Sequence, residues 1–153
     1  MMPDIDTFTA WTDEACERLP EIFFRDLNLG VVVSEDLKIS PDAIDDDLFI
    51  LGQYERSAMG KAIYIYYGSF MKMYSDYTDN EIKDMIYHVL KHEFTHHMEG
   101  LANFRDLEVE DEIQLAKYKE MKKKSLSFLF TSGILPKRIS CELIAIMLFS
   151  LCL

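Results

Sequence analysis

Apolar residues in this chain recur at three- and four-residue spacing near both ends of its first hundred positions and cluster in short runs between them, which predicts helix, strands, then helices. From residue 7 to about 26, Phe8, Trp11, Ala15, Leu19, Ile22 and Phe23 share one helical side. Pro20 should bend or divide that helix, because it lacks an amide donor and crowds the preceding turn. Residues 31–34 and 49–54 read as short strands, separated by a polar, Asp-rich loop. Residues 62–67 form the best strand, β-branched and aromatic and ended by Gly68, with its tyrosines read as strand filling. A short helix over 69–74 precedes Thr78-Asp79-Asn80-Glu81, a capping box that satisfies the first free amides of a long helix. In that helix Ile82, Met85, Ile86, Val89, Leu90 and Phe94 make one apolar stripe able to dock on a sheet. Another helix is expected over about 107–122. The order predicts an α+β domain with helices on one face of a small sheet.

All four histidines fall within the long helix, in the run from His88 to His97. The run contains His92-Glu93-x-x-His96, an HExxH pattern. Residues at i and i+4 have Cβ atoms about 5–6 Å apart, so His92 and His96 can reach one Zn²⁺ ion at bonds of about 2.0–2.1 Å. Glu93, offset by about 100° around the axis, can stand beside the ion without ligating it and act as general base toward a water. His88 is expected at the surface or a boundary, and His97 to be exposed or bonded to a partner.

At 153 residues, 49% hydrophobic and 12% aromatic, the chain can build one cored domain. Its net charge of -11 argues against nucleic acid, whose phosphates it would repel. Asp42, Asp45, Asp46 and Asp47 concentrate acid in one loop, read as solvated rather than as a calcium site. Three widely spaced cysteines, Cys16, Cys141 and Cys152, suggest a reducing compartment, and the first residues lack the basic and apolar regions of a secretory signal; a cytoplasmic protein is expected.

The segments Ile50-Leu51-Gly52-Gln53-Tyr54, Ile63 to Phe70 and Val89 to Glu99, followed by Arg105 to Asp111, resemble the small zincin-like bacterial metallopeptidases, the minimal zincins, over about Phe8 to Glu120. The resemblance implies an HExxH helix packed on a short sheet, zinc at the helix surface and a peptidase activity of unspecified substrate. In shorter members a Gly three residues after the motif and an Asp three further on return a carboxylate to the metal. Here those positions hold Glu99 and Ala102. If the helix runs one turn further, Asn103 can take the left-handed turn in place of Gly, and Asp106 follows as the first candidate for the third ligand. Glu108 and Asp111 on the next helix are the alternatives. Glu99, with its Cα about 10.5 Å along the axis from that of His92, suits a supporting or surface role.

The domain is expected over residues 1–124. The apolar tail, 125–153, has a terminal run too short to span a bilayer; it could touch a membrane or a partner, pack on the domain, or be a non-native extension. The expected function is zinc-dependent hydrolysis of a peptide or protein substrate, with the strand at 63–67 offering its edge to an extended substrate. The alternative is a non-catalytic metal-binding or protein-interaction module.

Overall fold

The structure, a computed structural model, describes residues 3–102 and the backbone of 106–132, with side chains over 111–124 of that last segment. Helix α1, Ile5–Glu17, is capped by Asp4, whose Oδ1 accepts the Thr7 amide at 2.8 Å. Pro20 divides the expected helix, and beyond it the chain makes a single 3-10 turn, Glu21–Phe24. Three strands come next, β1 (Val31–Ser34), β2 (Gly52–Ser57) and β3 (Gly60–Tyr66). Then come α2 (Tyr67–Met73), α3 (Asp79–Ala102) and α4 (Asp106–Ser132). The α+β class is as expected. The boundary expected near Lys124 falls inside α4, while residues 133–153 lie outside the described ones, and with them the readings of the tail. Among the described residues no helix is long and apolar enough to cross a membrane.

The sheet order is β1-β3-β2, with β1 parallel and β2 antiparallel to β3. Two sequence expectations change here. The second strand starts three residues late, because Phe49 bridges to Ile39 and closes the Asp-rich loop instead. The strand at 63–67 is central, paired on both sides, and has no edge to give a substrate. The outer edge nearest α3 belongs to β2, which forms with β3 a hairpin turned at Ala58 and Met59.

Period-2 alternation then sorts the faces. Ile63 and Ile65, both 0% exposed, face the helices together with their register partners Val31, Val33, Gly52 and Tyr54. Against them lies the stripe of α3: Ile82, Ile86, Val89, Leu90 and Phe94 are all buried. Each such side chain contributes about 1.5–3 kcal/mol of transfer free energy. Phe24 meets Phe94 edge to face at 4.8 Å between ring centres, and Phe8 meets Phe70 at 5.1 Å, which ties α1 and α2 into the same core. The capping box holds α3 at its start: the Thr78 amide donates to Glu81 Oε2 at 2.8 Å and the Glu81 amide to Thr78 Oγ1 at 3.4 Å.

Candidate metal centre

The same rotation of α3 that buries Val89, Leu90 and Phe94 brings His92 and His96 to the flank facing α4, both part-buried, and turns Glu93 inward against β2. His92 Nε2 and His96 Nε2 lie 3.2 Å apart. Asp111, in the second turn of α4, reaches the same point: its Oδ2 is 3.1 Å from His96 Nε2 and its Oδ1 3.7 Å from His92 Nε2. The three residues offer donor atoms all within 4.8 Å of one another.

Zinc suits this set. A tetrahedral ion with bonds of about 2.1 Å needs donors about 3.4 Å apart, and two imidazoles with one carboxylate are a donor set it takes readily. Burial alone would lower the pKa of His96, but the hydrogen bond to Asp111 and the charges of Glu93, Asp111 and Glu99 outweigh it and raise the pKa.

Glu93 is 7% exposed, and burial pushes its carboxyl up to about 7, against the pull of His96 and the Tyr54 amide. That amide, on the outer side of β2, donates to Glu93 Oε2 at 2.7 Å. Gly52 is what lets the strand come so close: a Cβ there would stand 2.5 Å from Val89 Cγ1 and 3.0 Å from Glu93 Cγ. A cavity of about 560 Å³ opens over the group, bounded by Gly52, Tyr54 and Arg56 of β2, the motif residues, and Asp111. A side cavity of about 140 Å³ shares Ile50, Gly52, His92, Glu93 and Asp111 with it and adds walls from Phe49, Leu51, Met73 and Val89.

The structure thus gathers His92, Glu93 and His96 with Asp111, the alternative on the following helix. Asp106 is the first residue of α4, five before Asp111; its side chain, that of Glu108 and the turn at Asn103 lie outside the described residues. Glu99 lines the larger cavity. His88 is exposed. His97 corrects half of its expectation: it is 0% exposed, with Nε2 2.7 Å from the Arg25 carbonyl and its ring edge against Tyr54. Local spacing could not reveal the Tyr54 amide or the need for Gly52, since both depend on how β2 docks.

A short sheet backed by a helix that carries HExxH at its surface is the zincin arrangement. The model of the zincin-like metallopeptidase family matches residues 31–112, more than half of the chain, and the chain belongs to that family. A similar solved structure is a conserved hypothetical protein from Thermus thermophilus, 29% identical, with a TM-score of 0.55 over 65% of this chain and 98% of that one. None of the curated proteins matches the sequence.

Proposed function

We propose that the protein is a zinc peptidase with His92, His96 and Asp111 as metal ligands and Glu93 as general base. The observation that carries this reading is the convergence of the three donors beside a carboxylate whose second oxygen is already anchored. When bound, zinc supplies Lewis acidity to the scissile carbonyl and to a water. Tyr54 holds Glu93 through Oε2, which leaves Oε1 to take a proton from the attacking water and later to deliver it to the leaving amine. Burial favours this shuttle by bringing the carboxyl to about 7, where both protonation states are within reach.

An extended peptide fits along the outer edge of β2, which borders the larger cavity, and the apolar side cavity has room for an aliphatic side chain beside the reacting group. The substrate class is therefore peptide or protein; the charge of -11 argues against nucleic acid. The proposed setting is the reducing cytoplasm, supported by the odd number and wide spacing of the cysteines.

The test compares wild type with Glu93→Gln in zinc content and in an unbiased peptide-library digest. The variant should keep its metal and lose about 10²–10⁴-fold in turnover. Identical digestion by both, or none by either against library and cell extract alike, would favour a non-catalytic metal-binding module of the same fold.

A further inference from the structure

The face of α4 that supplies Asp111 continues through Leu115, Tyr118 and Lys122, spaced i, i+4, i+7 and i+11, within about 60° of arc. This stripe meets the Asp-rich loop, which is not simply solvated. Tyr118 is 3% exposed; its hydroxyl donates to Asp47 Oδ1 at 2.8 Å and accepts the Ile44 amide at 3.3 Å. Lys122, 8% exposed, donates to Asp45 Oδ2 at 3.0 Å and also to Asp47 Oδ2. Leu48 and Tyr118 form a small apolar cluster with Ala43 and Leu115, separate from the main core. The family match ends at residue 112, so Leu115, Tyr118 and Lys122 lie beyond it.

We infer that Tyr118 and Lys122 are positioning residues for Asp111: by clasping the loop at 42–48 they set the rotation and register of α4 and so hold the carboxylate at the two imidazoles. A helix is stiff over the distances involved, about 10.5 Å from Asp111 to Tyr118 and about 16 Å to Lys122 at 1.5 Å per residue. One residue of register slip would swing Asp111 by about 100° and take it off the histidines. The clasped loop leads directly into Ile50 and Gly52, which wall the cavity, so the far side of the site is referenced to the same anchor. Charge supports the arrangement: burial alone would raise Asp47, but Lys122 and Tyr118 outweigh it and hold its carboxyl below the usual range.

This inference rests on the reading of Asp111 as a metal ligand, and the experiment separates the two. Zinc affinity of the full chain is measured by competition with a chromophoric chelator for wild type, Tyr118→Phe, Lys122→Met, Lys122→Arg, Lys123→Met and Asp111→Ala, with folding followed by circular dichroism. Tyr118→Phe keeps the ring packing and removes only the hydroxyl, so it remains informative if Lys122→Met fails to fold. Both should weaken zinc binding about 10-fold or more, the range for groups that orient a ligand. Lys122→Arg should restore most of it, and Lys123→Met, the same charge change on an exposed position, should leave it unchanged. In the Asp111→Ala background Tyr118→Phe should cost nothing further, which a general loss of structure would not reproduce. Wild-type affinity in both Tyr118→Phe and Lys122→Met, alongside weak binding in Asp111→Ala, overturns the inference and leaves the metal centre standing. Wild-type affinity in Asp111→Ala overturns both.

Discussion

Two polar clusters sit on one face of α4, and they are built on opposite rules. At Tyr118 and Lys122 opposite charges and donor-acceptor pairs complement each other, two carboxylates sharing one ammonium. At Asp111 two imidazoles and a carboxylate bring their donor atoms toward one point, next to the buried Glu93. Complementary charge closes on itself and holds position. Converging electron-pair donors suit a cation, and proteins place such sets where metal chemistry is done. The contrast also corrects the sequence reading of the acidic loop: four of the six residues 42–47 are aspartates, yet what they do is fasten a helix.

The contrast can be broken first at the metal centre. His96→Ala should abolish stoichiometric zinc, since it removes one of three donors, while the stripe from Ile82 to Phe94 still folds; metal analysis with circular dichroism checks both, and wild-type zinc content would refute the site. Next, Asp111→Ala should weaken zinc by more than the 10–100-fold typical of supporting groups, and Asp106→Ala by less. The reverse ranking in a chelator competition would return the third ligand to the start of α4.

A smaller effect is expected where strand and helix touch. Gly52→Ala puts a methyl 2.5 Å from Val89 Cγ1, so β2 or α3 must move, at a cost of about 1–3 kcal/mol in a urea melt. Because the Tyr54 bond to Glu93 lies in the same contact, turnover should fall by more than zinc affinity does. Equal losses in both would mean that the glycine serves packing alone.

The smallest effect sharpens the clasp. Asp47 is held below 3.8, so its stabilisation is present above that pH and lost as pH falls through the lower folded value. For Lys122 burial would lower the pKa, but Asp47 and Asp45 raise it above 10.5, so its share is present below that value and lost as pH rises through the higher one. Between those limits the clasp adds a constant term, about 2 kcal/mol for a charged hydrogen-bonded pair. Urea melts across pH should show that acid limb reduced in Lys122→Met; an unaltered limb would place the acid sensitivity elsewhere.

How much was legible depends on distance along the chain. The capping box at Thr78 and Glu81, the apolar stripe of α3, the break at Pro20 and the pairing of His92 with His96 all involve residues within a turn or two of each other. Helix geometry and backbone sterics alone relate such neighbours, so the spacing of residue types already encodes them. The order of the strands was not encoded in this way: the run at 62–67 looks the same whether central or at an edge, and only pairing with β1 on one side and β2 on the other made it central. Sequence spacing put Asp106 ahead of Glu108 and Asp111 and could not foresee Asp111 beside the two imidazoles, because that depends on the angle at which α4 returns across α3. The loop at 42–48, more than sixty residues away, contributes to that angle through Tyr118 and Lys122. Sequence by itself therefore determined where most of the helices lie and the HExxH pattern, with Glu93 beside its two histidines. Tertiary structure decided what stands opposite them, since contacts between distant segments depend on docking geometry that no local pattern carries.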